Sequence, residues 1–412
     1  MKIFHTSDWH LGRTLYGKKR YIEFEAFLNW LIEQIELKSP ELLIIAGDIF
    51  DTTTPSNKAQ ELYYQFLCKV AANTSCQHIV IIGGNHDSPT LLNAPKELLK
   101  QLKIHVVGNI SPDYRDDVLE LKDTNGITQA LVCAIPYLRD RDIRILDEYE
   151  LAEDKDKNFM HAIKDYYSKV CEHAELLCQQ LEHPVPIIAT GHLFVTGGKT
   201  LKDDGVRELY VGSLAQFGAT DFPPNIDYLA LGHLHVPQII AGLNNYRYSG
   251  SPIAMGFGEA HQQKLIIEAS VSVGNVTINE IAIPKFQHLE RITGNLDTIK
   301  LALTNLVNRN ESIWVEVDYT GQEIVTNLKQ ELQAIVINTH VELIKIHNSQ
   351  LLAQVLSSAE YDAGIELANL SPEQVFDKCL TMNNIPANQQ EELKECFAQI
   401  MQDLTSNDVR AE

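Results

Sequence analysis

The sequence predicts an α/β fold with a ligand site at the carboxyl ends of its strands. Short apolar runs, typical of buried strands, lead through glycine into polar residues. The run at 42–46 is followed by Gly47 and Asp48, and the run at 79–82 leads, after a Gly-Gly pair, into Asn85. Helical segments separate these runs, and open α/β sheets bind ligands beyond the carboxyl ends of their parallel strands. We therefore expect these polar side chains to share one edge.

Three further strand ends carry ligand-type side chains. The first strand ends in Asp-x-His, the run at 186–190 leads into Gly-His, and the run at 226–231 leads into Gly-His-x-His. The candidate ligands are Asp8, His10, Asp48, Asn85, His192, His233 and His235. Imidazole and carboxylate groups suit divalent Mn, Fe or Zn. Any single motif could be an ordinary strand-end cap, but the full set predicts a site for two ions that share a bridging carboxylate.

These motifs resemble those of the calcineurin-like metallophosphoesterase family. The quoted residues are Asp8-x-His10, Gly47-Asp48, Gly84-Asn85-His86-Asp87, Gly191-His192 and Gly232-His233-x-His235. The resemblance implies a β-sandwich flanked by helices that hydrolyses phosphodiesters with two divalent ions, expected to be Mn²⁺. It implies that Asp48 bridges the ions. It places Asp8, His10 and His235 at one ion, and Asn85, His192 and His233 at the other.

The resemblance also bears on catalysis. His86 adjoins a ligand and is our candidate for protonating or stabilising the leaving oxygen; the alternative is a structural histidine beside the metals. At Asp51, archaeal and eukaryotic relatives carry a histidine, whereas related phosphatases carry an aspartate. We expect Asp51 to hold His86 in its working tautomer.

Longer segments are similar to a branch of bacterial DNA nucleases that act with a partner ATPase. These segments are residues 6–12, 46–51, 188–192 and 248–252. The resemblance implies an ATP-dependent double-strand 3′–5′ exonuclease and single-strand or hairpin endonuclease that serves DNA repair, recombination and replication at the nucleoid. A phosphatase or cyclic-nucleotide phosphodiesterase, and a non-catalytic scaffold for the ATPase, are the alternatives. The two carboxy-terminal modules argue against the first, and the full ligand set argues against the second.

The length and composition of the chain indicate its number of domains, its cellular compartment and how it binds DNA. A chain of 412 residues predicts two or three domains. It contains seven cysteines with no C-x-x-C pair, no long apolar run and no signal-peptide pattern, which favours reduced thiols in the cytoplasm. The net charge of −21 disfavours an autonomous DNA-binding surface, because phosphate contacts dominate such binding. We expect a partner to supply much of the DNA grip.

In chain order, residues 11–21 form a loop that either holds a DNA strand or is an ordinary solvated surface. Its basic and aromatic residues are Arg13, Tyr16, Lys18, Lys19, Arg20 and Tyr21.

A helix at 22–37 follows. Segments 56–72 and 88–102 carry apolar stripes at helical spacing, which are most often core contacts. The resemblance implies that these two helices form a homodimer, which charges at Leu62 and Phe66 would disrupt.

The next segments complete the predicted nuclease domain, residues 1–284. Residues 103–150 predict strand, turn and strand. Arg139, Arg141 and Arg144 then lie in a self-neutralising surface loop or at a DNA edge. A helix is predicted at 158–181. The loop at 196–211, with Lys199, Lys202 and Arg207, is expected to face substrate. Strands at 264–270 and 275–283 close the domain.

The remaining chain predicts two smaller modules. Residues 285–347 show a βαβαβ pattern, at the position of the family's DNA-capping domain. Residues 348–412 are a linker followed by carboxy-terminal helices from residue 371, where a capping box begins. The apolar residues Phe376, Leu380, Leu393, Phe397 and Ile400 exceed what a two-helix hairpin can bury. We expect these helices to bind the partner ATPase.

Overall fold

The computed structural model describes residues 1–143, 152–198, 217–321, 325 and 327–348, together with residues 376, 377, 380, 390, 393, 394 and 397. For residues 152–157 it describes the backbone alone. The chain divides into two compact units, Met1–Gln287 and His288–Glu412.

The described part of the first unit contains two six-stranded sheets and a short hairpin. Its strands are β1 (Lys2–Thr6), β2 (Thr14–Leu15), β3 (Lys18–Lys19), β4 (Leu42–Ala46), β5 (His78–Ile82), β6 (Ile104–Val107), β7 (Val118–Lys122), β8 (Thr128–Cys133), β9 (Ile187–His192), β10 (Tyr228–Gly232), β11 (Gln238–Ile240), β12 (Leu243–Tyr248), β13 (Leu265–Ser272) and β14 (Asn275–Ala282). One sheet has the order β14-β13-β1-β4-β5-β6 and the other β11-β12-β10-β9-β8-β7. The strands β1, β4, β5 and β6 are parallel, as are β8, β9, β10 and β12.

The helices of the first unit cover the outer faces of the two sheets. They are α1 (Tyr21–Lys38), α2 (Asn57–Asn73), α3 (Pro89–Asn93), α4 (Lys96–Lys100), α5 (Asp140–Ile143) and α6 (Ala152–Gln180). One apolar cluster lies between the sheets, a second packs α1 and α2 on the first sheet, and a third packs α6 on the second sheet. Residues alternate between faces along each strand, so Ile44 faces the other sheet while Leu43 and Ile45 face the helices. This helix-flanked β-sandwich confirms the predicted fold class.

Two details of the predicted helices need correction. Segment 88–102 is not one helix: it breaks between α3 and α4 at Pro95, which has no N–H to donate within a continuous helix. The stripe on α2 is core, since Leu62 and Phe66 are 3% and 2% exposed. The expectation that charges at these two residues would act on a dimer contact is therefore wrong.

The second unit forms a small α/β layer within its described residues. Its elements are β15 (His288–Gly294), α7 (Leu296–Val307), β16 (Ile313–Tyr319), α8 (Leu328–Val336) and β17 (Val341–Asn348), in the predicted βαβαβ order. The three strands are parallel, with β16 in the centre. Ile313, Val315 and Val317 share a core with apolar residues of both helices.

Most of the predicted carboxy-terminal helices, including Ile400, lie outside the described residues. Among those described, Phe376 and Phe397 stack with ring centroids 4.2 Å apart, and Lys394 pairs with Asp377 at 2.8 Å. Leu380 is 5% exposed, so the expectation that it adds to an exposed apolar face is wrong; Leu393 is 39% exposed.

No helix within the described ranges is long and apolar enough to cross a membrane.

Candidate metal centre

Strands from both sheets of the first unit end beside one another and carry the predicted ligands. The first sheet contributes β1, β4 and β5, and the second contributes β9 and β10. These strands lead into Asp8 and His10, Asp48, Asn85, His192, and His233 and His235, respectively. Asn85 is half-buried and the other six are buried. The structure thus brings all seven predicted ligands together.

The backbone at four of these residues adopts a conformation that L-residues rarely take. The angle φ is 53° at Asp8, 47° at His10, 51° at Asp48 and 100° at His233. Such conformations cost about 1–3 kcal/mol each and cluster at functional sites. Main-chain hydrogen bonds hold two of them, from the Asp8 N–H to the Gly47 carbonyl (3.0 Å) and from the His10 N–H to the Asp48 carbonyl (2.9 Å).

Glycines before the ligands allow the two sheets to meet closely. A Cβ atom on Gly47, where φ is +88°, would lie 2.3 Å from Nδ1 of His192. A Cβ atom on Gly232 would lie 1.9 Å from the Ala46 carbonyl oxygen. Both contacts are far shorter than atoms tolerate, so only glycine fits between the strand ends.

Asp8, His10 and His235 form the first group of candidate ligands, with ligand atoms all within 4.8 Å of one another. Nε2 of His10 lies 3.2 Å from Nε2 of His235. The Asp8 carboxylate is fixed by two donors, the main-chain N–H of His233 at 2.9 Å and the hydroxyl of Ser7 at 2.5 Å. These contacts hold the possible metal-binding atoms of the three residues around one common point.

Asp48 lies between this group and a second one. Its Oδ2 atom is 3.6 Å from Nε2 of His10 and 3.2 Å from Nε2 of His192. The side-chain oxygen of Asn85 is 3.0 Å from both Nε2 of His192 and Nδ1 of His233. The Asp48 carboxylate therefore lies between the two groups of candidate ligands.

The hydrogen bond behind His192 shows that the second group suits a cation. Nδ1 of His192 lies 2.9 Å from the Ala46 carbonyl, which can only accept, so Nδ1 carries the proton. In the neutral ring, Nε2 then turns its lone pair toward oxygens of Asp48 and Asn85. Converging lone pairs need a positive charge between them, and N/O donors of this kind prefer a divalent transition ion. The residues present fit such an ion.

Burial and mutual charge shift the ionisation of this cluster. Burial, with the neighbouring His192, lowers the pKa of His233 to about 3, which keeps its ring neutral and able to bind metal. Burial opposes ionisation of Asp48, yet the positive charge of His192 holds the pKa of that carboxyl well below its usual range. Burial likewise opposes charging of His192, but the Asp48 carboxylate raises the pKa of His192 to about 9. The site thus favours one positive charge beside Asp48, which a bound cation would supply in place of the proton.

The predicted pairing of Asp51 with His86 occurs through a different atom. Nδ1 of His86 lies 2.8 Å from the main-chain carbonyl of Asp51. The Asp51 carboxylate instead lies 3.4 Å from Nδ1 of His10 and 3.2 Å from the Arg13 guanidinium. The expectation that this carboxylate sets the His86 tautomer is therefore wrong. A ring nitrogen of His86 also lies within 4.8 Å of ligand atoms of His10 and Asp48.

Asp87, whose role the sequence did not reveal, ties two ligand loops together. Its fully buried carboxylate accepts hydrogen bonds from the main-chain N–H groups of Ile49 (3.1 Å), Phe50 (3.0 Å) and Gly84 (2.8 Å). Burial raises the pKa of Asp87 to about 7, and the nearby charge of Asp48 adds to the shift. Its position directly after the Asn-His pair was the available signal.

Glu259 and Lys264 are two further residues near the candidate ligands that the sequence did not identify. Glu259 is fully buried and its Oε1 lies 3.5 Å from Nδ1 of His235. Lys264 forms an ion pair with Glu259 and donates to the His235 carbonyl at 3.0 Å. Burial would raise the pKa of Glu259, but the Lys264 ammonium and the His235 ring lower it to about 2. No motif marks these residues, because tertiary folding alone brings them to His235.

The structure buries one of the basic residues that the sequence offers for DNA binding. In loop 11–21, the hairpin β2–β3 exposes Lys18 and Lys19, while Arg20 is 2% exposed and pairs with Glu23. Arg20 is thus unavailable to DNA. Arg139 donates to the Asp87 carbonyl at 3.2 Å, beside the metal cluster. Arg144, Lys199, Lys202 and Arg207 lie outside the described residues.

Comparisons with known proteins agree with this geometry. The family described as calcineurin-like phosphoesterase matches residues 1–237, and the family described as type 5 capsule protein repressor C-terminal domain matches residues 285–384. The SbcD component of the SbcCD nuclease from Escherichia coli (strain K12) is 35% identical over 401 residues, which cover 96% of this chain and 97% of that protein. The protein of the same name from Bacillus subtilis (strain 168) is 32% identical over 269 residues, 65% of each chain.

The fold and the site define a calcineurin-like phosphoesterase, a class of hydrolase that uses divalent metal ions. Within that class, the chain belongs to the SbcD family and is a metal-dependent nuclease. The resemblance drawn from the motifs is thereby confirmed.

Proposed function

We propose that the chain is the two-metal DNA nuclease component of a complex with an SbcC ATPase. The observation that carries the two-metal site is the convergence of His10, His192 and Asp48: Oδ2 of Asp48 faces Nε2 of His192 at 3.2 Å and Nε2 of His10 at 3.6 Å. One carboxylate oxygen between two histidine groups fits a pair of ions better than a single one.

In this proposal each group of ligands holds one ion, for which Mn²⁺ is the expected metal. Asp8, His10 and His235 hold the first, Asn85, His192 and His233 hold the second, and Asp48 touches both. Bound divalent ions supply an activated water near neutral pH and charge stabilisation for the phosphodiester. Main-chain hydrogen bonds from Asp8 and His10 hold the strained backbone of these two residues in place without the ions.

His86 protonates or stabilises the leaving oxygen. The carbonyl of Asp51 accepts from Nδ1–H, which leaves Nε2 as the atom that gives and takes a proton. The backbone N–H of His86 donates to Oδ1 of Asp48 at 2.8 Å, so the residue is anchored to the bridging carboxylate itself. A ring nitrogen of His86 within 4.8 Å of ligand atoms of His10 and Asp48 supports a role of the ring at the proposed ions.

The substrate is DNA held jointly with the ATPase. The net charge of −21 gives the chain little electrostatic grip of its own, so ATP-dependent double-strand 3′–5′ exonuclease activity needs the partner. Hairpin and single-strand endonuclease activity is expected from the same site. Such an enzyme would act at the nucleoid in DNA repair, recombination and replication. Residues 285–347 serve as a DNA-capping domain, and residues 371–412 bind the ATPase.

A homodimer remains part of this proposal, with a revised surface. The apolar stripe of α2 is buried, whereas Leu98 on α4 is 70% exposed and Leu102, just after it, is 46% exposed. These two residues offer apolar contact area within the segment 88–102.

The test is cleavage of hairpin and duplex DNA with Mn²⁺, with and without the partner ATPase and ATP. We expect hairpin opening by the chain alone and duplex degradation only with ATPase and ATP. Asp48→Asn should abolish both, while Asp116→Asn, at an exposed surface carboxylate, should preserve both. Hydrolysis of small phosphoesters with no cleavage of either DNA would refute the proposal in favour of a phosphatase.

A further inference from the structure

Different groups face the Nδ1 atoms of three of the proposed metal-binding histidines. In the first group, Nδ1 of His10 lies 3.4 Å from the Asp51 carboxylate, and Nδ1 of His235 lies 3.5 Å from the Glu259 carboxylate. In the second group, Nδ1 of His192 faces the neutral carbonyl of Ala46 at 2.9 Å. Both histidines of the first group therefore have a carboxylate behind the ring, whereas His192 has a neutral carbonyl there.

Glu259 is built firmly into its place. Besides the ion pair with Lys264, its Oε2 accepts from the Met255 main-chain N–H at 3.1 Å. Lys264 in turn donates to the hydroxyl of Ser251 at 2.9 Å and to the main-chain carbonyl of His235. Both charged residues are buried, at 0% and 6% exposure. The ammonium thus connects the carboxylate to the backbone of the same histidine that the carboxylate faces.

A carboxylate behind a metal-binding imidazole has two effects. It fixes the ring orientation and tautomer, and it makes the opposite nitrogen a stronger donor. Loss of such a partner typically reduces metal affinity about 10–100-fold. A neutral carbonyl fixes the tautomer equally well but adds no charge.

We propose that Glu259, held by Lys264, is a positioning residue that makes the ion position of Asp8, His10 and His235 the tighter of the two. This inference rests on the proposed two-metal function. The Glu259–Lys264 ion pair lies outside every ligand motif. In this inference it determines the order in which the two ions bind.

The experiment is a calorimetric titration of the metal-free full-length protein with Mn²⁺. The wild-type chain should show two binding events of unequal affinity. Glu259→Gln should weaken the tighter event about 10–100-fold and leave the weaker event unchanged. The pH dependence of the tighter event should also change, because the amide oxygen can still accept from the His235 ring but places no negative charge behind it.

Glu259→Gln also leaves Lys264 buried without its partner, so a thermal scan must accompany the titration. The double variant Glu259→Gln, Lys264→Met removes both charges and should regain much of the lost Tm without regaining Mn²⁺ affinity. Glu316→Gln is the matched control: Glu316 is a buried carboxylate paired with Arg291 (2.5 Å) and Lys345 (3.2 Å) in the second unit. It should lower Tm and leave both binding events intact.

Four results would contradict this inference or the function on which it rests. Wild-type affinity at both positions in the double variant would overturn the role of Glu259, as would equal weakening of both events. A wild-type chain with two events of equal affinity would overturn the unequal positions while leaving the two-metal nuclease standing. A wild-type chain that binds no Mn²⁺ would remove the proposed function itself.

Discussion

Nδ1 of His86 lies 2.8 Å from the main-chain carbonyl of Asp51, while the Asp51 side chain turns away to His10 and Arg13. Asp51 thus contacts His86 through its main-chain carbonyl, and His10 and Arg13 through its carboxylate. Its backbone fixes the tautomer of His86, the proposed proton carrier. Its carboxylate backs His10, a proposed metal ligand. The identity of the side chain at position 51 is therefore separable from the orientation of His86.

The first prediction follows from this separation. Asp51→Asn should leave the pH profile of cleavage unchanged, because the carbonyl contact that orients His86, the proposed proton donor, survives. It should weaken Mn²⁺ binding about 10-fold, because the charge behind His10 is lost. Cleavage at saturating Mn²⁺ across pH, combined with calorimetry, measures both. A shifted pH profile with unchanged metal affinity would restore the carboxylate–His86 pairing.

The second prediction concerns the proposed bridge. Asp48→Ala should lose both ions, because the Asp48 carboxylate faces both groups of histidines. Metal analysis of the purified variant should find less than one Mn²⁺ per chain, against two in the wild type. Asp116→Ala is the control at an exposed position. Two equivalents bound by Asp48→Ala would exclude the bridging role.

The third prediction links His5 to acid stability. His5 joins the two sheets, with Nδ1 3.0 Å from the Tyr228 hydroxyl and Nε2 3.2 Å from the Leu231 carbonyl. Burial lowers the pKa of His5 from 6.5 to about 3. Between these values the unfolded chain binds more protons at this residue, so its stabilising contribution is lost as pH falls from about 6.5 toward 3.

His5→Gln removes this titration while keeping a donor and an acceptor at the position. The variant should lose Tm less steeply than the wild type between pH 6.5 and 4.5, measured by thermal scans. His161→Gln, on the exposed face of α6, should keep the wild-type slope. Parallel curves for all three proteins would contradict this role of His5.

The fourth prediction distinguishes core from surface in the segments expected to form a dimer. Phe66→Ala should destabilise the first unit by about 3–5 kcal/mol, because it empties a packed site under α2. Leu98→Glu, at an exposed position, should leave Tm within about 1 °C and lower the dimer fraction in light scattering at micromolar concentration. A dimer of undiminished strength in Leu98→Glu would move the interface elsewhere.

The fifth prediction concerns the carboxy-terminal segment. Deletion of residues 371–412 should leave two bound Mn²⁺ and hairpin cleavage intact, because every proposed ligand lies in the first unit. Co-purification with the ATPase and ATP-dependent exonuclease activity should be lost. Leu393→Asp, at a position 39% exposed, should weaken ATPase capture without altering Tm. Undiminished capture by the truncated chain would place the partner contact outside this segment.

The sequence by itself determined the fold class, the seven candidate ligands and the order of elements in the second unit. These features are local: an apolar run, a glycine and a polar residue follow one another in the chain wherever a buried strand ends at a ligand. The sequence predicts a helix at 296–307 and a strand at 313–319, and α7 and β16 have these bounds, because capping and alternation are encoded in consecutive positions. The prediction of one helix over 88–102 missed the break at Pro95, although proline interrupts a helix wherever it falls inside one.

Tertiary structure alone decided how those side chains are used. The apolar stripe of α2 could face a core or a partner, and only packing against α1 and the first sheet settled that it is core. The atom of Asp51 that meets His86 depends on how two loops from different strands approach each other. Glu259 and Lys264 reach His235 from 24 and 29 residues away in sequence, through contacts that no local pattern encodes. Sequence spacing determines which residues lie at a strand end. The folding of two sheets against each other determines which other groups contact those residues.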